Sequence, residues 1–457
     1  MTVRKQSANP RQLTHSGPRI DECAIDESLP RSVDVVVIGG GIVGVSAAMF
    51  LAERGVSVAL CEKGALAAEQ SSRNWGWVRK MGRDPRELPL MIESMRIWDQ
   101  LQEKIGSDLG FRRSGIVYLC GEEQELERRA SWLDHAREYQ LDSRVIGGTE
   151  ISRVLPGGNG EWLGALYTPS DGRAEPQKVV PALARRAIEL GATIAIGCAV
   201  RSIETKAGRV AGVITELGSI ACSSVVLAGG AWSRLFCRNL GLTLPQLTVR
   251  ASAMRVDGVN GGPETAALGA GFAFRKRADG GYTVANSTGS IADIVPDSFR
   301  FFKLFLPLLA AEWRQTPLRL GRRFLEEWRQ PTYWSLDEKS PFEQTRILDP
   351  QASDRQLEEG LRNLKSAFPA FQGATVRQRW AGFIDATPDA IPVISAVDSL
   401  PGFFIATGFS GHGFGIGPGA GRLVADLVTG DTPVVDPTEF RFSRFTDGSR
   451  LRFFTGL

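Results

Sequence analysis

Four apolar residues, V-V-V-I (35–38), run directly into three glycines, and the stretch after them, I-V-G-V-S-A-A (42–48), is small, apolar and without a polar face. A short unbroken apolar run ending in glycine reads as a strand buried on both faces. The small-residue run then reads as a helix over 42–54, packed closely on it. A second apolar run over 56–62 closes on Glu62, so the chain opens with a βαβ unit. Amphipathic periodicity predicts helices over 87–105 and 122–139, with a strand over 115–120 between them. A helix over 179–190 and a strand over 192–196 follow. Residues 209–215 and 219–227 read as a hairpin-type pair. From 244 to 286 the pattern is strand-rich, alternating over 248–256 and 272–284. A helical stretch over 296–313, a short strand over 403–406 and a helix over 417–428 complete the chain. No internal repeat or low-complexity segment interrupts it.

Dinucleotide-type patterning therefore occurs at the start, middle and end, with other material between. This predicts an α/β fold: a Rossmann-like nucleotide-binding domain assembled from residues 33–110, 164–243 and 371–435. A substrate domain of mixed β-sheet plus helices, 111–163 and 244–370, is inserted into it. A flexible leader (1–32) and a C-terminal tail (436–457) flank the two.

Composition narrows the functional classes. The 457 residues are 43% hydrophobic and 23% charged, which excludes a disordered, fibrous or disulfide-scaffold chain. A net charge of +3 argues against dedicated nucleic-acid binding. The six cysteines, Cys23, Cys61, Cys120, Cys198, Cys222 and Cys237, form no C-x-x-C pair, so no metal site or dithiol centre is expected. The leader is polar and proline-containing, without the apolar core of a secretory signal. No run reaches the ~18 apolar residues of a membrane span. The aromatic-rich stretch 299–313 leaves peripheral membrane contact open, but it holds Arg300, Lys303 and Pro307 and reads better as a helix packed inside its own domain. The expectation is a cytoplasmic chain of undetermined oligomeric state.

The glycines carry the chemistry. G-G-G-I-V-G (39–44) matches G-x-G-x-x-G at Gly39, Gly41 and Gly44. Gly39 permits the tight turn, Gly41 admits a pyrophosphate to the backbone, and Gly44 lets helix and strand close together. The helix N-terminus that follows, at Ile42 and Val43, presents N–H groups and a positive dipole end to phosphate. Glu62, at the end of the second strand, suits the ribose hydroxyls. Set strand–turn–helix–strand–Glu, the pattern points to an adenine dinucleotide, though not to FAD over NAD. Three further segments favour FAD. S-S-R-N-W-G (71–76) suits a loop along a pyrophosphate and a flavin edge. V-V-L-A-G-G-A-W-S (225–233) is a strand running into Gly-Gly. A-T-G-F-S-G-H-G-F-G-I-G-P-G-A-G (406–421) sets seven glycines between a strand and a helix, a density that suits backbone wrapped round a large flat ligand.

These segments, with C-E-K (61–63), G-A-L-Y-T-P-S-D-G-R-A-E-P (164–176) and W-A-G-F-I-D-A-T-P-D-A-I-P-V-I (380–394), resemble the D-amino-acid oxidase superfamily of FAD enzymes, which includes glycine oxidases, sarcosine oxidases and D-amino-acid dehydrogenases. They occur in the family's order over about 400 residues. The resemblance implies an FAD-binding domain, with Gly39, Gly41, Ile42, Glu62 and Lys63 around the ADP half and Val200 against adenine. It implies Gly230 and Trp232 at the ribose and pyrophosphate. Asn74, Trp75, Gly76 and Arg79 fall toward the isoalloxazine, with Ser71, Ser72 and Arg73 of the same loop also expected to bind the cofactor. Gly382, Gly411, His412, Gly413, Phe414, Gly415 and Ile416 close round the pyrimidine end. The implied reaction is oxidation of a C–N bond in an amino acid or secondary amine, by hydride transfer to flavin N5, giving an imine that hydrolyses. Oxygen or a quinone is the implied electron acceptor. Two departures stand out. Where sarcosine oxidases carry a flavin-tethering Cys, this chain has Gly382, which implies non-covalent FAD. Where they carry a Lys that serves reaction with oxygen, it has Gly415, which favours a dehydrogenase over a fast oxidase. Arg79 or Lys80 could still fill that role. The rival readings are a flavin-dependent dehydrogenase of a C–O bond, in a hydroxy acid or polyol phosphate, and a flavin-binding subunit of a larger dehydrogenase.

Several residues are singled out for chemistry. His412, inside the glycine-rich loop, is a candidate contact to flavin or substrate; His15 and His135 read as solvated. Hydride loss from a neutral amine needs no base in its transition state, so His412 is not assigned as an obligate one. A carboxylate substrate calls for an arginine fork, for which Arg79, Arg83 and Arg275 are candidates. Trp75, with Trp77, could wall the substrate. Tyr282 could offer a hydroxyl, while Asp385 and Asp389 read as turn residues.

Overall fold

The computed structural model describes residues 15–25, 28–312 and 316–454. The first part of the leader, the end of the tail and Trp313 lie outside these. The opening βαβ unit forms as its pattern predicts. Strand β1 (Val35–Ile38) pairs in parallel with β2 (Val58–Cys61) on one side and with the strand Ser224–Leu227 on the other. The sheet runs Val393–Ala396, Phe403–Thr407, Ser224–Leu227, β1, β2, Thr193–Ala195. Only its Val393–Ala396 edge is antiparallel. Register places Ile38 beside Leu227 and Cys61, so the segments after these strands emerge side by side at one edge, where open α/β sheets bind ligands.

Helix α1 (Ile42–Glu53) is buried along nearly its whole length. Its unbroken apolar character follows from neighbours on several sides: the sheet, the helix Pro176–Glu189 and the helix Gly413–Thr429. The last of these begins at Gly413, earlier than the pattern predicts, and this changes the reading of its glycines. A Cβ at Gly417 would meet Ile42, one at Gly419 would meet Ser94, and one at Gly421 would meet Ser46. Those three glycines serve close helix packing, and only the N-terminal part of the run lines the ligand cleft.

The second sheet has ten strands. Its spine is the antiparallel pair Leu247–Asp257 and Thr375–Ala386, paired from Leu247↔Ala386 to Asp257↔Thr375 with a one-residue register shift between Arg255 and Val256. The strand Gly164–Thr168 joins it by pairing with Ile116–Cys120. Residues 164–168 and 375–386, expected with the nucleotide domain, are thus hydrogen-bonded into this sheet. The expected hairpin also differs. Arg209–Thr215 pairs with both Val200–Lys206 and Gly218–Ala221, and Ser224–Leu227 separates to enter the parallel sheet. The predicted helix over 122–139 divides at Trp132 into Glu123–Ser131 and Leu133–Glu138. The stretch after 296 divides into Pro296–Arg300 and Phe302–Glu312, and a helix without a predicted counterpart, Arg322–Arg329, follows. From His15 the described leader lies along the body. Ser16 bonds Asp349, the Asp21 amide donates to the Gln177 carbonyl, and Ser32 bridges to Ala221. Among the described residues no helix is long and apolar enough to cross a membrane.

Candidate active site

Two cavities meet at the carboxyl edge of the parallel sheet. The first is a cleft lined by Gly39, Gly41, Ile42, Val43, Glu62, Lys63, Ser71, Asn74, Val200, Gly230, Trp232, Gly411, Gly413 and Phe414, so most of the predicted cofactor residues do converge. The fit to a dinucleotide rests on two helix ends. Neither N-cap residue, Gly41 of α1 or His412 of the helix Gly413–Thr429, supplies a side-chain cap, though the Ile42 amide of α1 donates to Ser71 Oγ at 2.9 Å. Both N-termini lie on this cleft, one where a pyrophosphate would be held and one where the flavin pyrimidine would gather negative charge. Glu62 accepts from the Gly40 and Gly64 amides, each at 2.7 Å. Burial pushes its carboxyl up, against the pull of Lys63 and these amides. Lys63 is held by Glu69 and the Arg346 carbonyl and lies 4.6 Å over the Trp232 ring. The residues present thus fit an FAD whose ADP half lies along α1.

The second cavity, of about 840 Å³, adjoins the first; Gln70, Asn74, Gly411 and Phe414 line both. Trp75, Trp77, Tyr118, Phe302 and Phe305 are among its walls. Trp75 and Trp77 meet edge-on at 5.2 Å. Arg73, Trp75, Arg79, His412 and Gly415 line this cavity rather than the cleft. Among the described residues Arg79 forms no direct ion pair, although its charge is felt by Glu87 and Asp171; it donates to the Met81 carbonyl and lies 5.9 Å from the Tyr118 ring centre. It is therefore a cation available to a ligand. Arg73 is committed to Asp349 and to the Ala68 and Ala381 carbonyls.

Several expected residues lie elsewhere. Arg275, expected as a carboxylate fork, is 1% exposed and spent on protein groups: Glu175 at 2.7 Å, the Trp75 carbonyl and Thr283. Gly76, at φ 78°, lies against that arginine, where a Cβ would crowd Ala174 O and Arg275 Nε. Ser72 and Ile416 are fully buried and line neither cavity. Gly382 leaves space taken by the Gln70 side chain. Tyr282 is core, its hydroxyl donating to Pro263 O at 3.1 Å. His15, read as solvated, is half-buried beside Arg73. Arg83, by contrast, does line the second cavity but is spent on protein groups: its guanidinium donates to the Arg79 and His412 carbonyls and pairs with Glu87. Burial lowers it to about 10.

Gln70, Glu87, Phe342, Arg346 and Asp385 also line these cavities. Gln70, Glu87, Phe342 and Arg346 stand in none of the motifs; each arrives through a crossing of distant segments, so no spacing announces it. Asp385 does stand in the 380–394 motif but, expected as a turn residue, lies instead in the strand Thr375–Ala386. Its Oδ2 accepts from the Gly408 amide at 2.8 Å, from Gln246 at 3.1 Å and from Thr407 at 3.3 Å, which ties the large sheet to the glycine-rich loop. Asp171 instead uses both oxygens, on the Lys80 and Met81 amides at 2.8 and 3.0 Å, and so shapes the loop carrying Arg79.

Burial raises both aspartates to about 6, above the ordinary 3.8. A carboxyl held high in the fold favours the protonated native state. Its stabilisation is complete below 3.8 and is lost as pH rises through about 6. Asp385→Asn keeps one oxygen for all three donors and is expected to stay within about 1 kcal/mol of wild type at neutral pH, with the pH dependence reduced. Asp171→Asn sets an amide NH₂ against a backbone N–H and is expected to cost about 1–3 kcal/mol. Denaturant midpoints at neutral and mildly acidic pH separate the two.

Comparison with known proteins agrees with this geometry. Residues 34–427 match the model of the FAD dependent oxidoreductase family. The chain is 24% identical to mouse mitochondrial sarcosine dehydrogenase over 96% of its own length but only 44% of that protein. It thus spans less than half of that relative, while it matches sarcosine oxidase subunit beta of an Arthrobacter species at 25% identity over 92% of each chain. Among solved structures, the L-amino acid deaminase of Proteus myxofaciens, in complex with anthranilate, superposes with a TM-score of 0.91 at 39% identity, covering 95% of this chain and 98% of that one. The L-amino acid deaminase of Proteus vulgaris gives 0.89 at 34% identity over 93% and 100%. With the fingerprint on β1 and α1, two helix N-termini on one cleft and a family match that spans both sheets, the chain belongs to the DAO family of FAD-dependent oxidoreductases.

Proposed function

We propose that the chain oxidises the C–N bond of an L-amino acid with a bulky apolar side chain, using non-covalently bound FAD. The observation that carries this reading is the second cavity: large, aromatic-walled, continuous with the cleft, and holding in Arg79 a cation without a direct ion pair among the described residues. The L configuration is taken from the likeness to the two Proteus deaminases. When bound, FAD supplies the two-electron acceptor for the hydride on the carbon that bears nitrogen. Arg79 pairs with the substrate carboxylate and orients the molecule. Trp75 and Trp77 exclude water from one side of the cavity, and the apolar residues of the segment 299–309 receive the side chain. The imine released to water hydrolyses to the oxo acid. Non-covalent binding is supported by the cysteines: only Cys61 lines the cleft, beside Glu62 at the ADP end.

The electron acceptor proposed is a membrane quinone rather than oxygen. Gly415 stands where the oxygen-serving lysine is expected. The segment after 296 also carries exposed apolar side chains, Phe299 at 68%, Leu320 at 70% and Trp328 at 69%, more than ordinary packing of this segment predicts.

Anaerobic mixing with a panel of D- and L-amino acids, N-methylated glycines and 2-hydroxy acids tests the substrate class. Bleaching of the flavin band by large apolar L-amino acids is expected. Bleaching confined to N-methylglycines or hydroxy acids would overturn the reading. Arg79→Gln removes a charge-assisted pair worth about 1.5–3 kcal/mol and is expected to lower kcat/KM by about 10- to 100-fold, with the FAD content unchanged.

A further inference from the structure

Glu87 is a carboxylate with no exposed surface, at the entrance to the helix Leu88–Ile105. An ionised carboxylate is expensive to bury unless it is paired. Its Oε2 lies 3.2 Å from His412 Nδ1 and 3.5 Å from Arg83 Nη1, and its Oε1 has no hydrogen-bond partner among the described residues. Arg83 in turn donates to the His412 carbonyl at 3.0 Å. Carboxylate and guanidinium thus grip the ring and the backbone of one histidine from the same loop. That histidine caps the helix whose N-terminus opens on the cofactor cleft.

The pairing of carboxylate and ring favours one tautomer. Nδ1 is buried and has no aligned hydrogen-bond partner among the described residues, but the Glu87 carboxylate lies 3.2 Å from it, within ion-pair reach. A lone pair there would oppose the carboxylate oxygen, so the neutral ring carries its proton on Nδ1. Nε2 is then the acceptor. It is not among the buried atoms that lack a partner, and the side chain is 25% exposed on the substrate cavity. The charged groups that face the ring are Glu87, Arg83 and Arg79.

We infer that Glu87 is a positioning residue that holds His412 with its proton on Nδ1, so that Nε2 accepts the proton the substrate ammonium must lose before its C–N bond is oxidised. This rests on the amino-acid reading above. In the step, an N–H bond of the ammonium breaks and its electron pair stays on nitrogen. A bond forms between that proton and Nε2, leaving a neutral amine and an imidazolium beside the Glu87 carboxylate. The neutral amine is the form from which a hydride can leave. The imidazolium returns its proton to solvent between turnovers. Burial lowers the imidazole below the ordinary 6.5, while Glu87 pulls it back up, so the ring is free to accept at neutral pH.

Two measurements on the FAD-loaded protein test this. The first is nitrogen NMR of protein labelled at histidine, of which the chain has three. The His412 signals, assigned by their loss in His412→Gln, are expected to show the Nδ1–H tautomer. In Glu87→Gln the imidazole is expected to titrate at lower pH. An Nε2–H tautomer in the wild type, or a titration indifferent to Glu87→Gln, would overturn the proposal. This readout needs no substrate, so it stands even if the substrate class is misassigned. The second is the pH profile of flavin reduction by whichever amino acid bleaches it. His412→Gln is expected to lose about 100-fold at neutral pH, the lower end of general-base contributions, and to recover as pH passes the pKa of the substrate ammonium, where the amine arrives already neutral. Glu87→Asp is expected to retain more activity than Glu87→Gln. A deficit in His412→Gln that is constant across pH would mark a merely structural role and overturn the proposal.

Discussion

Gly44→Ala is expected to purify colourless, without FAD, and to be destabilised by more than about 4 kcal/mol. A Cβ at this position would lie far inside contact of the Gly39 carbonyl oxygen, with the Ala228 Cβ 3.3 Å away. Both neighbours belong to the strand ends that build the cleft, so neither can yield without moving it. The remaining escape is for α1 to back away from the sheet. Its other neighbours, the helices Pro176–Glu189 and Gly413–Thr429, already hold it on further sides. Moving α1 also withdraws the helix N-terminus from the pyrophosphate position. Gly55→Ala is the control for lost glycine flexibility. Gly55, unlike the helical Gly44, has a positive φ, 75°, and nothing lies within 4 Å of its would-be Cβ, so it is expected to cost about 1 kcal/mol and leave the protein yellow. The flavin absorbance per protein and the thermal midpoint read both effects. A yellow, stable Gly44→Ala would mean that α1 and β1 are not locked together as described.

Arg275→Met is expected to cost about 3–5 kcal/mol, with loss of substrate turnover following from loss of shape rather than of a ligand contact. The arginine is fully buried and meets Glu175 at 2.7 Å; its Nε donates to the Trp75 carbonyl at 2.7 Å. Its removal leaves Glu175 buried with, among the described residues, only the Ala278 amide, at 2.7 Å, still donating to it. It also frees the Trp75–Gly76 turn that forms one wall of the substrate cavity. Burial raises the Glu175 carboxyl, but Arg275 outweighs that and holds it below the ordinary 4.5. This stabilisation is present above that value and is lost as pH falls through the lowered one. Arg275→Met combined with Glu175→Met is expected to recover most of the loss, because a buried pair replaced whole by apolar side chains is often close to neutral. Urea unfolding of the wild type, the single variant and the double variant closes the cycle. If the double variant were as unstable as the single one, the cost would lie in the Trp75 turn and not in the orphaned carboxylate.

The two arginines show how far pattern carries. Arg79 and Arg275 are equally plausible forks on paper, each near tryptophan or phenylalanine. The structure separates them by one fact, the carboxylate of Glu175, brought from a segment about a hundred residues away. The histidine tells the same story from the other side. His412 stands out because it sits among glycines, but its partner Glu87 is one acid among several in a charged stretch. Only the crossing of two helix entrances places them together.

What the chain determined unaided were the elements whose signals are local. The glycine turn, the acidic end of β2 and the uninterrupted apolar run of α1 each impose a backbone geometry or a burial state within a few residues, and burial on every side leaves no alternation to misread. The family resemblance followed from several such motifs in order. Tertiary structure decided whatever depends on long-range pairing. Residues 164–168 and 375–386 entered the large sheet because their hydrogen-bonding partners lie there. Gly417, Gly419 and Gly421 became helix-packing positions because three helices converge on them. Among the described residues Arg79 was left without a direct ion pair while Arg275 was neutralised. A side chain's role is set by the group that occupies its far end, and that group comes to it only when the chain folds back upon itself.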